Sequence, residues 1–346
     1  MASISSNGSS LEPRISPDPR TRVSTGAVGD SAALAEGWAR LPESYRIPEV
    51  APGIEEAQRY CERLARSHYE NFSVATWFLP KQLHQHFYNV YAYCRISDDL
   101  GDEVGDTRLS LLLLDRWEEE LRRTYAVLAD PASTPVPSHP VFIALAETIR
   151  RFAIPQHEFS DLLVAFRQDQ TVKRYETFDD LLGYCKNSAN PVGHLVLYLG
   201  GYSDEERQHL SDFTCTALQL ANFWQDVSVD YGKGRIYLPL EDLRRFGISE
   251  GDIAERRATP AFLEMMCFEV ARARSWFERG LPLIRKVDKQ LALDLELFSR
   301  GGQEILSAIE AQGFDVLKSR PSISKVRKVG LLLRALAGKM TSGVAQ

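Results

Sequence analysis

Two stretches of this sequence set carboxylates one helical turn apart. In Arg95-Ile-Ser-Asp98-Asp99-Leu-Gly-Asp102, four residues separate Asp98 from Asp102, which puts both on one face of a helix. In Gln219-Leu-Ala-Asn222-Phe-Trp-Gln-Asp226-Val-Ser-Val-Asp230 the polar residues step by three, four and four. They form a stripe along an otherwise apolar helix, flanked by Leu218, Leu220, Ala221, Phe223, Trp224 and Val227. A solvated acidic face would account for one such pair. It accounts poorly for the second, because that stripe lacks the lysines and arginines that usually lace an exposed face. Like charges at this spacing cost a helix roughly 0.2–0.5 kcal/mol, and a buried carboxylate needs a cation. Hard oxygen donors on two helices suit Mg²⁺, which keeps part of its water and shares its shell with substrate phosphates. The chemistry expected is metal-assisted handling of a diphosphate.

Helices must position these donors. From Ile54 the apolar period is helical, with Ile54, Ala57, Cys61, Leu64, Ala65 and His68 on one face. Pro80 can open the helix that carries the first aspartates, and apolar positions 83, 87, 90, 91 and 94 continue it to Gly101. Another helix spans Leu109 to Leu128, before a Pro-rich loop from Ala129 to Pro140. Further helical stretches cover 141–153, 156–170, 178–189, 191–200, 204–230, 260–286 and 289–311. Convincing alternating strands are absent. The expectation is an all-α protein with one helical domain over 51–318, a disordered leader over 1–50 rich in Ser, Pro, Gly and Ala, and a basic tail over 319–346.

A chain of 346 residues, 44% hydrophobic and 25% charged, can build a large core. Its net charge of −6 gives no reason to propose a nucleic acid partner. The five cysteines are scattered and form no CxxC pair, which argues against a disulfide framework or a zinc site and fits a reducing compartment. No apolar run approaches the roughly 18 residues of a spanning helix, and no signal pattern opens the chain. The sequence reads as cytoplasmic. From Lys318 to Gln346 there is no acidic residue, while seven lysines and arginines accompany Val326, Val329, Leu332, Leu333 and Leu336 at helical spacing. That asymmetry suggests a helix resting on anionic lipid at the inner face of the membrane. A final helix packed on the domain is the alternative.

The landmarks occur in a telling order: His68-Tyr-Glu-Asn71-Phe72-Ser73, the Arg95-to-Asp102 block, Tyr184-Cys185, the Gln219-to-Asp230 stripe, and Gly234-Arg235-Ile-Tyr237-Leu-Pro239. Over residues 55–315 this order resembles the squalene/phytoene synthase family. The resemblance implies an isoprenoid synthase-type helical domain whose two acidic motifs face each other across a central cavity and bind Mg²⁺–diphosphate. It implies Asp98, Asp102, Asp226 and Asp230 as metal ligands, Asn222 and Gln219 completing the second motif, and Arg95, Asn71 and Arg235 on the diphosphate, with Tyr237 beside them. Phe72 resembles a pocket aromatic whose face could stabilise a cation. Tyr184 matches a tyrosine beside the reacting carbons, where its hydroxyl could move a proton. Both also fit ordinary core roles, as does His68.

Two departures bear on which member this is. Ser188-Ala189-Asn190-Pro191-Val192-Gly193 stands where squalene and phytoene synthases usually carry a Val-Ala-Gly segment, and Gln225 precedes Asp226 where many members place Arg. Both resemble the bacterial hydroxysqualene synthases of hopanoid pathways, which ionise presqualene diphosphate, rearrange the cation and quench it with water. Asn190 would then guide that water, and a presqualene diphosphate synthase could hand over the substrate. Presqualene diphosphate synthase, complete squalene synthase, phytoene synthase and a non-catalytic assembly protein on the same fold are the competing readings.

Overall fold

Hydrophobic periodicity of 3.6 residues runs through most of the chain, and the computed structural model, which describes residues 27–67 and 80–322, turns it into helices. In order these are α1 (Ala27–Ala39), α2 (Ile54–Ser67), α3 (Lys81–Asp102), α4 (Thr107–Ala129), α5 (Pro140–Phe152), α6 (His157–Thr171), α7 (Phe178–Ser188), α8 (Asn190–Leu199), α9 (Glu205–Gly232), α10 (Leu240–Arg245), α11 (Glu250–Ala254), α12 (Pro260–Gly280) and α13 (Lys289–Ala311). Among the described residues the nearest thing to a sheet is one isolated bridge, Arg174 with Ile236.

Local chemistry sets the ends. Asp106 caps α4 by accepting from the Leu109 N–H at 2.9 Å, Thr177 and Asp180 form a capping box on α7, and Asp204 caps α9. Pro140 and Pro260 sit in the first turns of α5 and α12, where their missing N–H costs nothing. The expected helix over 260–286 breaks at Gly280, and a 3-10 turn (Leu281–Arg285) containing Pro282 takes over.

The two helices with the acidic signatures lie at the centre of two packed regions. α3 is covered by α2, α4, α5 and α6, and its Tyr93 is fully buried among Trp117, Phe142 and Phe159. α9 is covered by α12, α13 and α8. Its Trp224 is fully buried and donates to the Glu269 carbonyl at 3.1 Å. Truncating either aromatic to Ala would cost about 3–5 kcal/mol. α8 approaches α9 closely at Gly193, where a Cβ would meet Ser211 Oγ at 2.3 Å and Cys215 Sγ at 2.4 Å. Any larger residue there would push the two helices apart.

The boundaries expected from sequence need correction at both ends. Residues 27–50 are part of the fold, because α1 packs against α4 and Trp38, Leu41 and Tyr45 enter the core. The surrounding Ser, Pro and Gly hide these few apolar anchors from a compositional reading. At the other end Ser319–Ser322 do not belong to a separate tail: Arg320 and Pro321 are bonded to α9. Residues 323–346, the rest of the expected membrane-resting tail, lie outside the described residues. No described helix is long and apolar enough to cross a membrane.

Candidate active site

The last turn of α3 divides its aspartates by direction. Asp98 points to the open side, with half of its side chain exposed. Asp99, the next residue, is buried and clamps Arg95: Arg95 Nε donates to Asp99 Oδ2 at 2.9 Å and Nη2 pairs with Oδ1. The clamp carries a third member, since the Tyr45 hydroxyl donates to Asp99 Oδ2 at 2.7 Å. A cleft of about 510 Å³ opens beside it, lined in part by Leu41, Ser44, Leu64 and Glu103.

The two signatures meet through the chain that leaves α9. Gly234, at φ +78°, turns that chain, and the Arg235 N–H bonds back to the Asp230 carbonyl at 2.8 Å. The turn aims Arg235 Nη2 at Asp102 Oδ1, 2.8 Å away, and Lys233 Nζ reaches Asp102 Oδ2 at 3.3 Å. On α9 itself, Gln219, Asn222, Asp226 and Asp230 share one face, with Gln219 partly exposed and Asn222 exposed. Asp226 is paired with Arg320 of the returning C-terminal segment. Gln225 holds that segment: its amide donates to the Pro321 carbonyl at 2.6 Å and its oxygen accepts from Arg320 Nη2 at 3.1 Å. The cations that the second stripe lacks in sequence are thus supplied from elsewhere.

Supply falls short of demand. Burial, with Asp226 and Asp102 nearby, pushes the Asp230 carboxyl up to about 7 against the pull of Lys233 and Arg235. The crowded surroundings and Asp102 push Asp98 up to about 6. Asp102 is held low, because Arg235 and Lys233 outweigh burial. Among the described residues no three metal-ligating side chains converge on one point, since Arg320, Arg235 and Lys233 engage the carboxylates individually. The donor chemistry nevertheless fits Mg²⁺: oxygen ligands from two helices, carrying more negative charge than their protein partners neutralise.

Asp169, at the end of α6, is a site residue that the sequence did not reveal. It is 5% exposed and accepts from the Tyr184 hydroxyl at 2.8 Å and the Tyr237 hydroxyl at 3.3 Å. Burial pushes its carboxyl up to about 6, opposed by Arg235 and the Tyr184 bond. The phenols belong to an aromatic wall in which Tyr237 stacks on Phe223 at 3.9 Å between ring centres and on Tyr175 at 5.7 Å. A lone Asp without a partner at helical spacing carries no signal. The only hint was its place in the polar run Gln168-Asp169-Gln170-Thr171 at the end of an amphipathic helix.

The structure therefore gathers Arg95, Asp98, Asp102, Asp226, Asp230, Arg235, Tyr184 and Tyr237 around the adjoining ends of α3 and α9. Asn190 is buried at the start of α8, and its Oδ1 accepts from Thr216 of α9 at 3.1 Å. That bond takes one of the oxygen's two lone pairs, so the side-chain amide can still engage a water. His68, Asn71 and Phe72 lie outside the described residues.

The sequence profile described as Squalene/phytoene synthase matches residues 65–327, a stretch that contains every one of these groups. The chain belongs to the squalene/phytoene synthase family. Phytoene synthase 3, chloroplastic, of Zea mays is 30% identical over 315 residues, 88% of this chain and 71% of that one. Among solved structures, the squalene synthase HpnC of Alicyclobacillus acidocaldarius is 43% identical with a TM-score of 0.70, over 82% of this chain and 98% of that one. A dehydrosqualene synthase solved with a ligand is 26% identical with a TM-score of 0.72, over 83% and 98%. The protein has the all-α fold of these synthases and is an isoprenoid-diphosphate-processing enzyme.

Proposed function

We propose that this synthase converts presqualene diphosphate and water to hydroxysqualene and diphosphate. The observation that carries the product is Asp169: a buried carboxylate that accepts from two phenols in an aromatic wall. Water capture leaves a proton to be removed, as does closure to an alkene, whereas quenching by hydride does not, so the acceptor speaks against the reductive branch. Asp169, reached through the Tyr184 hydroxyl, supplies the acceptor. The 43% identity to a squalene synthase favours the squalene side of the family over the phytoene side, and Gln225 and the Ser188-to-Gly193 segment fit the water-quenching branch.

In this reading Asp98, Asp102, Asp226 and Asp230 would hold Mg²⁺, which when bound supplies Lewis acidity to the leaving diphosphate. Arg95 and Arg235, with Asn71, Gln219 and Asn222, bind and orient the diphosphate. The carbon–oxygen bond breaks with its electron pair going to the diphosphate. Tyr175, Tyr184, Phe223 and Tyr237 face the carbocation and exclude water while it rearranges, a role that the family resemblance extends to Phe72. A late water then forms the new carbon–oxygen bond, and its surplus proton passes to Asp169.

The 30% identity to a phytoene synthase keeps a second reading in view, the condensation of two allylic diphosphates. One experiment separates them. The pure protein, given presqualene diphosphate and Mg²⁺ without nicotinamide in heavy-oxygen water, should form hydroxysqualene with solvent label in the hydroxyl. Squalene formed only with NADPH, or rapid product from farnesyl or geranylgeranyl diphosphate alone, would sink the hydroxysqualene assignment.

A further inference from the structure

We propose that Tyr45 is a positioning residue for diphosphate binding, acting through Asp99 to hold the Arg95 guanidinium in place; this rests on the reading of Arg95 as a diphosphate ligand. The residues form one chain of charge-assisted bonds: the Tyr45 hydroxyl donates to Asp99 Oδ2 at 2.7 Å, and the Nε–Nη2 edge of Arg95 donates to both Asp99 oxygens. Tyr45 is 3% exposed and Asp99 4% exposed, while Arg95 is part-exposed beside the cleft and close to Asp98. The buried end of the relay is thus fixed and its open end faces the site.

Geometry also separates Asp99 from the metal-binding role. It is buried where Asp98 is half exposed, and both of its oxygens already accept hydrogen bonds from Arg95, one of them also from Tyr45. Asp99 gives Arg95 a fixed partner on one edge, and the Tyr45 hydroxyl fixes Asp99 in turn. A long guanidinium side chain otherwise surrenders rotamer freedom at the moment of binding, so a clamp made beforehand raises affinity without touching the ligand.

Tyr45 is itself anchored. It follows Ser44, whose carbonyl accepts from the Tyr60 hydroxyl at 2.7 Å, and the segment is tied to the end of the α3 turn where Arg40 Nη1 donates to the Val104 carbonyl at 3.1 Å. Trp38 and Leu41 bury the same segment in the core. Residues 27–50 therefore brace the site, although no ligand-type motif in them signals it.

Inorganic diphosphate with Mg²⁺, titrated by calorimetry into the full chain, tests this without turnover. Tyr45→Phe keeps the ring and loses one hydroxyl; it should weaken diphosphate by about three- to tenfold and raise KM more than it lowers kcat. Tyr125→Phe removes a hydroxyl that donates to the Ile154 carbonyl at 2.9 Å, away from the clamp and its anchors, and should lower the melting temperature with diphosphate affinity unchanged. Asp99→Asn reads the clamp from its other side should Tyr45→Phe fold poorly, and should weaken diphosphate at least as much. Arg95→Ala must weaken it most. Wild-type affinity in Tyr45→Phe beside a weak Arg95→Ala would overturn the positioning role alone. Wild-type affinity in Arg95→Ala would overturn the assignment of Arg95, and the positioning role with it.

Discussion

Asp230→Asn should make the metal-free protein more stable while abolishing its activity. The carboxyl is pushed from 3.8 to about 7 in the folded chain, so the fold holds the proton more tightly than the unfolded chain does. Below pH 3.8 both states are protonated and the charge costs nothing. The cost grows as pH rises through that value and is complete once pH passes about 7. At about 1.4 kcal/mol per unit, the ceiling is about 4 kcal/mol at pH 8 and about 2 kcal/mol at pH 5. Partial exposure and salt reduce the expected gain at pH 8 to about 1–2 kcal/mol. In a domain of this size that raises the melting temperature by about 2–5 °C. Urea or thermal unfolding in chelator at pH 8 and pH 5 measures it, and the gain should fall by about half between the two. A variant no more stable than wild type at pH 8, or equally stabilised at both pH values, would refute the claim that Asp230 is strained by uncompensated charge. Added Mg²⁺ should also stabilise wild type more at pH 8 than at pH 5 and stabilise Asp230→Asn little.

Three further outcomes follow from other parts of the molecule. Asp169→Asn keeps the two phenol contacts in size but loses the proton acceptor, so diphosphate release should persist while hydroxysqualene formation falls; alcohol formed at the wild-type rate, read by gas chromatography, removes Asp169 from the final step. His194, against burial, is raised to about 9 by Asp212 at 2.8 Å and Glu158 at 3.0 Å, so its contribution is full below pH 6.5 and is lost as pH rises through 9. Wild type should therefore lead His194→Gln in unfolding free energy at pH 6 and lose that lead by pH 10; a constant gap would mean packing rather than charge. Finally, deleting residues 323–346 should spare turnover and abolish salt-sensitive flotation on anionic vesicles. Flotation that survives the deletion would rule out the tail as the lipid contact.

How much of this was legible in the sequence depended on range. The helices were legible because their apolar residues recur every 3.6 positions, and the two aspartate pairs because four residues make one turn. Both are properties of a single segment, and the boundaries at Asp106, Thr177 and Asp204 obey the same local rule. Tertiary structure decided the rest. Asp102 finds its cation at Arg235, Asp226 at Arg320 and Asp99 its phenol at Tyr45, at sequence separations of 133, 94 and 54 residues. No periodicity spans such distances. The second acidic stripe looked cation-poor because its cations come from the turn after α9 and from the returning C-terminal segment. Asp169 was invisible for the same reason: a lone carboxylate acquires meaning only when packing buries it against two phenols. Sequence specified which donors could share a helix face, and folding decided which charges each of them would meet, because helix-face geometry is local and electrostatic pairing is not.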